Sequence, residues 1–253
     1  MGKVFVHQSV DQLNEAVARH WLELCRQAVA DHDGFYVSLA GGSTPQKLYH
    51  LLSTPPFAEE IHWQKVHLFF GDERCVPKDH ADSNYRMAKD AFIGSVPIPP
   101  ANVHAVDIVE GDPQGSALGY AAALDVLPKN SKGLPQFDLM LLGMGDDGHT
   151  ASLFPGTELL QETQQWAGAV YVKKLNAWRV SLTFPVINAA HNIVFLIAGE
   201  AKAAVLGQLF QAESASRPAY PVEQVLHGAE HELQWRLDES AAAELPDSLL
   251  TKR

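Results

Sequence analysis

Residues 137–156 read FDLMLLGMGDDGHTASLFPG. An apolar run, Leu139 to Leu142, stops at Gly143-Met144-Gly145; two aspartates, Gly148, His149 and a Phe-Pro-Gly stop follow. A short continuous apolar run bounded by glycines reads as a strand buried on both faces, the kind found in parallel sheets. Such a strand reaches the surface at its carboxyl end, and here it does so directly ahead of Asp147 and His149. In open α/β sheets ligands bind just outside the carboxyl ends of the strands.

Extended and helical patterns alternate on both sides of this stretch. KVFVH (3–7) reads as a strand, and Ser9 with Gln12 three residues on forms a capping box for a helix running to about Ala30 on the stripe Leu13, Val17, Trp21, Leu24, Val29. GFYVSLAGG (34–42) is a buried strand; PQKLYHLL (45–52) is a helix with Pro45 expected at its first position. KVHLFFGDE (65–73) is the next strand, Ser83 caps NYRMAKDAF (84–92), and DPQGSALGYAAALDVL (112–127) is a further helix. FDLMLLGMG (137–145), RVSLTFP (179–185), NIVFLIAG (192–199) and ELQWRLD (232–238) are four more strands, with the helix EAKAAVLGQLF (200–210) between the last two. Residues 93–111, containing PIPP, read as a loop, and the acidic stretch Glu239–Asp247 as a solvated helix end. The alternation predicts one α/β domain over residues 1–253, a doubly wound, mostly parallel sheet with helices on both faces.

Composition narrows the partners. Apolar residues make up 46% and charged residues 19%, which fits a globular chain rather than a disordered one. No apolar run is long enough to span a bilayer, and MGKVFVHQSV reads as a first strand rather than a signal peptide or lipidation site, so the expected location is the cytoplasm. A net charge of −11 argues against nucleic acid and membrane as partners. It leaves room for an anionic small molecule, since local cations dominate within a Debye length of about 10 Å. Cys25 and Cys75 form no disulfide framework and read as unpaired thiols, and the 12 histidines lack metal-ligand spacing. No metal is expected.

Three of the expected strand ends combine glycine with reactive side chains. In LAGGSTP (39–45), Gly41 and Gly42 allow close backbone approach, and Ser43, Thr44 and the amides of the new helix can receive an anion. The Walker spacing is absent, and a plain strand-to-helix turn explains the same residues. In FFGDERCVP (69–77), Asp72-Glu73-Arg74 reads either as a solvated loop with a local ion pair or as a carboxylate and a guanidinium aimed into a cleft. In the opening stretch Asp147 can orient His149 as a base if the turn at Gly148 brings both to one side; otherwise His149 is an exposed turn residue. If the strand assignments hold, all three loops open on one sheet edge. They then supply an anion cradle, a cation and a carboxylate–imidazole pair, an acid/base site for a phosphorylated small molecule.

SLAGGSTPQKLY (38–49), FFGDERCVPKDHADSNYRMA (69–88), the opening stretch, RVSLTFPVINAA (179–190) and GEAKAAVL (199–206) closely resemble the 6-phosphogluconolactonase family in order and spacing. The GxGxDGHxASLFP form is the most specific of them. The resemblance implies a fold shared with glucosamine-6-phosphate deaminases and ribose-5-phosphate isomerases. It also implies a cofactor-free enzyme of the oxidative pentose phosphate pathway that hydrolyses 6-phospho-D-glucono-1,5-lactone to 6-phosphogluconate. By the same resemblance His149 is the general base and Asp147 its partner. Gly42, Ser43 and Thr44 contribute to phosphate binding, Arg74 binds phosphate or substrate, and Asp72 meets substrate hydroxyls. Arg179 and Lys202 match positions where the wider group grips a sugar phosphate.

Two rivals use the same fold. Sugar-phosphate deaminases carry Asn-Glu-Pro after the histidine motif, whereas this chain has Ser152-Leu153-Phe154-Pro155 and no carboxylate. A sugar-phosphate-sensing domain of a transcription regulator is the non-enzymatic rival, and the acidic charge with Asp147 and His149 both present argues against it. Tyr171 and Trp178 read as packing residues near the cleft mouth. The chain is expected to be a monomer or a weak homo-oligomer.

Overall fold

The computed structural model describes residues 2–211, 219–246 and 249. Its strands are β1 (Lys3–His7), β2 (Phe35–Leu39), β3 (Val66–Phe70), β4 (Asp72–Arg74), β5 (Leu139–Leu142), β6 (Ala167–Val172), β7 (Ala177–Leu182), β8 (Asn192–Ile197) and β9 (Glu232–Asp238). Six of them form one sheet in the order β1-β9-β8-β5-β2-β3, every neighbouring pair parallel. The helices are α1 (Val10–His32), α2 (Ser43–Leu52), α3 (Phe57–Glu60), α4 (Asn84–Ala88), α5 (Pro113–Ala123), α6 (Phe184–Asn188), α7 (Ala203–Phe210) and α8 (Glu223–Gly228). The expected α/β architecture is therefore present.

Alternation along the strands divides the core between the two sheet faces. Leu139 and Leu141 of β5, with Val194 and Leu196 of β8, pack with Leu13, Val17 and Trp21 of α1 and Leu48 and Leu52 of α2. Met140 and Leu142, with Phe195 and Ile197, pack with Tyr120 of α5, Leu206 of α7 and Val180 of β7. β3 follows β2 on one side and β5 lies on the other, so the strand order reverses between β2 and β5. That is where a doubly wound sheet opens a crevice at its carboxyl edge.

The second face is covered by an element that the alternation does not predict. β4, β7 and β6 form a separate antiparallel sheet in the order β4-β7-β6. KVHLFFGDE is consequently two strands, not one. β3 ends at Phe70, Gly71 turns the chain, and Asp72–Arg74 pairs with β7. RVSLTFP belongs to this second sheet and not to the parallel one.

Other boundaries shift for local reasons. Ser9 caps α1 as expected, its Oγ accepting from the Gln12 amide at 3.2 Å, but Gln12 Oε1 accepts from the Gln8 amide instead of closing the box on Ser9. α2 begins at Ser43, with Gly42 at φ 106° as its cap, so Pro45 is its third residue. Ser83 caps α4 through the Arg86 amide at 3.1 Å, and the helix continues as a π turn, Lys89–Ile93. The segment after Glu239 is a run of turns with Ala241, Ala242 and Leu245 buried, not a solvated helix end; Asp247 lies outside the described residues. Cys25 and Cys75 are both free.

Two buried tyrosines hold the strand ends next to the crevice. Tyr49 Oη accepts from the Ala40 amide at 2.9 Å and donates to the Ala40 carbonyl at 2.8 Å. Tyr120 Oη does the same for the Phe70 amide and carbonyl, each at 2.7 Å. Burial pushes both phenols far above their ordinary range, so each stays a neutral donor and acceptor. Leaving one such buried backbone group unpaired costs about 1–3 kcal/mol.

At the sheet's outer edge, His67 of β3 faces His104 of the long loop. Their Nδ1 and Nε2 atoms lie 3.3 Å apart, and the His104 ring stacks on Phe69 with centroids 4.2 Å apart. That contact needs one ring to donate and the other to accept, so at least one must be neutral. Burial and the neighbouring His67 push His104 down to about 4, and burial lowers His67 as well. A histidine depressed in the folded state binds fewer protons than in the unfolded chain, so its contribution is lost as pH falls from about 6.5 toward 4. His104→Phe should flatten the loss of urea midpoint across that window. A variant whose midpoint falls as steeply as that of the wild type would show that the pair does not govern acid stability.

Candidate active site

A cleft of about 550 Å³ opens at the carboxyl ends of β2, β3 and β5. Gly41 and Gly42 line it from the first loop, Asp72 and Arg74 from the second, and His149 from the third. The second sheet adds Arg179, and the turn before α7 adds Lys202. The three loops therefore meet on one edge. Ser43 is exposed and Thr44 half-buried at the start of α2, and neither lines the cleft.

The third loop is folded by its own backbone. The Gly145 amide donates to the His149 carbonyl at 2.8 Å, the Gly148 amide to the Gly145 carbonyl at 3.2 Å, and Thr150 Oγ1 to the Gly143 carbonyl at 2.9 Å. This places His149 Nδ1 2.5 Å from Asp147 Oδ1. A Cβ on Gly145 would stand 2.0 Å from that Nδ1, so the imidazole occupies the space that any other residue would fill. On its other side the ring stacks on Phe154, centroids 3.9 Å apart and planes 22° apart.

Electrostatics assign the proton. Burial works to raise the Asp147 carboxyl, but hydrogen bonds from Lys174 and His149 and the imidazole's charge outweigh it and hold Asp147 at about 2. At neutral pH it is a carboxylate and can only accept. Nδ1 of His149 must therefore donate, which leaves Nε2 as the basic nitrogen of the neutral ring, with no partner among the described residues.

The Asp-Glu-Arg triplet divides its work. Glu73 is buried and makes no ion pair with the Arg74 guanidinium. Its carboxylate accepts from the amides of Arg74, Asn84 and Tyr85 and from Ser83 Oγ, at 2.7–3.1 Å, and so anchors the start of α4. Burial raises its pKa while those amide bonds pull the other way. Asn84, held by Glu73, donates through Nδ2 to the Asp72 carbonyl at 2.9 Å and to Asp72 Oδ1 at 3.2 Å. Asp72 Oδ2 accepts from Ser152 Oγ at 2.5 Å. The second and third loops are joined through this last bond.

Arg74 and Arg179 are directly opposed on β4 and β7. Like charges placed opposite each other across a strand pair repel. Burial and the Arg74 charge both push the Arg179 guanidinium down. Among the described residues, Arg74 Nη1 reaches only the Asp82 carbonyl, at 2.5 Å, and neither Arg179 nor Lys202 has an ion-pair partner. Three cations thus converge on the cleft without a carboxylate paired to any of them.

Reading the sequence alone misses three contributors. Lys174 stands on the tip of the β6–β7 hairpin, with Nζ 2.6 Å from Asp147 Oδ2. Ser152 and Asn84 hold Asp72. The signal for Lys174 was the Val-Lys-Lys-Leu-Asn turn between two extended runs, visible only once β6 is recognised. Tyr171 and Trp178 pack on each other, centroids 5.4 Å apart, and line a neighbouring hollow rather than this cleft.

The fold and the cleft define a sugar-phosphate-type α/β protein with its site at the topological switch point. The chain belongs to the family described as glucosamine-6-phosphate isomerases/6-phosphogluconolactonase, which it matches over residues 8–235. It is 42% identical over 219 residues to a 6-phosphogluconolactonase of Nostoc sp., covering 86% of this chain and 88% of that one. Against the chloroplastic 6-phosphogluconolactonase 3 of Arabidopsis thaliana it is 35% identical over 250 residues, covering 96% and 75%. The 6-phosphogluconolactonase structure from Trypanosoma cruzi superposes with a TM-score of 0.83 at 30% identity, covering 97% of both chains.

Gly145→Ala should leave the fold intact, because its neighbours in space are the His149 and Asp147 side chains. The variant should lose the low-field proton resonance of the Nδ1–H···O bond. A variant that keeps this resonance would show that the loop can yield without moving the imidazole.

Proposed function

We propose that this chain is a 6-phosphogluconolactonase: it hydrolyses 6-phospho-D-glucono-1,5-lactone to 6-phosphogluconate in the oxidative pentose phosphate pathway. The observation that carries the reading is the meeting, in one cleft, of three cations that make no ion pair among the described residues with an imidazole whose Nε2 has no partner there. Residues 1–253 act as one α/β unit in this reading. In this reading the enzyme is cytoplasmic; the net charge of −11 supports the absence of nucleic-acid and anionic-membrane partners, and among the described residues no helix is long and apolar enough to cross a membrane.

Arg74 and Arg179 grip the phosphate through planar, bidentate donors, and Lys202 adds a point charge. Gly42, at the start of α2 and in the cleft lining, supplies a further amide donor, whereas the Ser43 and Thr44 hydroxyls stand outside the lining and take no part in the grip. Phosphate held at one end sets the lactone carbonyl near His149, so attack becomes effectively intramolecular. Asp72, already fixed by Ser152 and Asn84, accepts from the sugar hydroxyls.

A lactone is an activated ester and needs no covalent nucleophile. Nε2 of His149 takes a proton from water as the oxygen attacks C1. The ring C1–O bond then breaks as the imidazolium returns the proton to the departing ring oxygen, and the carboxylic acid so formed gives its remaining proton to solvent and leaves as its carboxylate. Asp147 steadies the imidazolium between the two steps. Leu153 and Phe154, the latter stacked on the ring, stand where the deaminases carry their extra carboxylate, so the histidine begins by activating water and protonates the ring oxygen only as the C1–O bond breaks.

The reading is tested by coupling freshly generated lactone to a 6-phosphogluconate dehydrogenase and subtracting spontaneous hydrolysis. Protein that adds nothing to the background, or that releases ammonia from glucosamine 6-phosphate at a comparable rate, rejects it. His149→Ala should lower kcat by about 10²–10⁴-fold, the usual yield of general-base help, with KM little changed. Near wild-type turnover at saturating lactone would remove His149 from the mechanism. Arg179→Ala should mainly raise KM and weaken 6-phosphogluconate binding by a similar factor. An unchanged KM would exclude Arg179 from the phosphate grip.

A further inference from the structure

Lys174 is the cation of the cleft wall that stands apart from the arginine pair. It lies in the turn Lys173–Leu175, which Asn176 closes in the left-handed region at φ 48°. Its Nζ is 2.6 Å from Asp147 Oδ2 and 3.5 Å from Asp146 Oδ1. It also sits 5.9 Å from the centre of the Phe154 ring, the ring on which His149 stacks. The two oxygens of Asp147 are thus divided: Oδ1 receives the imidazole and, at 3.2 Å, the His149 amide, both from its own loop, and Oδ2 receives the ammonium. Five residues further along the same hairpin comes Arg179.

We propose that Lys174 is a positioning residue, clamping the outer oxygen of Asp147 so that the inner one is held on His149, and that the β6–β7 hairpin delivers this clamp and Arg179 to the cleft together. The proposal rests on the hydrolytic reading above. A carboxylate whose donors all sit on one oxygen can still turn about its Cβ–Cγ bond and carry its imidazole partner with it. A second donor on the other oxygen fixes the plane, and the imidazole is then trapped between that plane and Phe154. Exposed ion pairs add little to folding stability, and Lys174 is half exposed, so its effect falls on the dyad rather than on the fold. The charged groups around Asp147 are His149 and Asp146 from its own loop and Lys174 from the hairpin, with Arg74, Arg179 and Lys202 across the cleft.

The test compares the full-length wild type with Lys174→Gln and Lys174→Arg. In Lys174→Gln, kcat for the lactone should fall by about 10-fold, less than the roughly 10²-fold that a 1 Å misplacement can cost, with KM nearly unchanged. Removing the cation makes the dyad easier to protonate, so the acid limb of the kcat profile should move to higher pH. Lys174→Arg should restore most of both. Two readouts do not depend on the reaction: carbon-13 titration of the Asp147 carboxyl, and the low-field Nδ1 proton. In Lys174→Gln the carboxyl should titrate at higher pH and the resonance should weaken. Wild-type kcat with an unmoved acid limb would overturn the proposal. So would a rise in KM alone, which would make Lys174 a substrate ligand. If the protein fails to open the lactone, the hydrolytic reading falls separately; the clamp itself is then overturned only by a carboxyl titration and a low-field proton unchanged in Lys174→Gln.

Discussion

Where a parallel ladder stops, its last backbone groups still need partners, and two tyrosine hydroxyls supply them here. Tyr49 closes the amide and carbonyl of Ala40 just past β2, and Tyr120 those of Phe70 at the end of β3. The two phenols come from opposite sheet faces, one from α2 and the other from α5. With the ladder satisfied from behind, the next residues, Gly41-Gly42 and Gly71-Asp72, are free to turn toward the cleft. The site therefore rests on rigid strand ends, although its lining residues come from loops.

The same logic runs through the carboxylates. Glu73 spends its acceptors on amides at the start of α4, which seats Asn84. Asn84 and Ser152 seat Asp72, and Ser152 comes from the loop that carries His149. Each carboxylate in the cleft is oriented by donors from a different segment. Asp147 is the extreme case, since it must orient the imidazole while the donor on its other oxygen comes from a hairpin of another sheet.

The legible and illegible parts of the sequence separate along this line. β5 announces itself because Leu139–Leu142 is buried on both faces and ends in glycine, and both sides of its loop carry recognisable chemistry. The capping serines Ser9 and Ser83 are local signals and act as caps. The second sheet is not local. β4 has three residues, Asp-Glu-Arg, whose charges read as loop, and its strand character comes entirely from pairing with β7 more than a hundred residues away. β6, Ala-Gly-Ala-Val-Tyr-Val, begins with weak strand formers and is specified by the same pairing. Missing β6 hides the hairpin tip, and with it Lys174. The residues named from the motifs were legible as residue types, and so was the local pair of Asp147 with His149; the residues that hold Asp72 and the outer oxygen of Asp147 were not, because they arrive through tertiary contact.

The arginine pair shows what such a cleft demands of the protein that carries it. Setting Arg74 opposite Arg179 on adjacent strands opposes folding, since like charges face each other and Arg179 is half-buried. Asp72 and Glu73 act on Arg179 through space, but no carboxylate among the described residues forms an ion pair with either guanidinium, and Glu73, nearest in sequence, accepts from the amides that start α4. In an acidic chain of net charge −11, a carboxylate placed between them would be an easy remedy and would improve stability. In the proposed phosphate grip it would also occupy the anion's place. On that reading the repulsion between the arginines is relieved when one anion bridges both guanidiniums. Part of the binding energy is then the removal of that repulsion, so the affinity for a phosphorylated molecule and the cost of opposing two arginines have one physical origin.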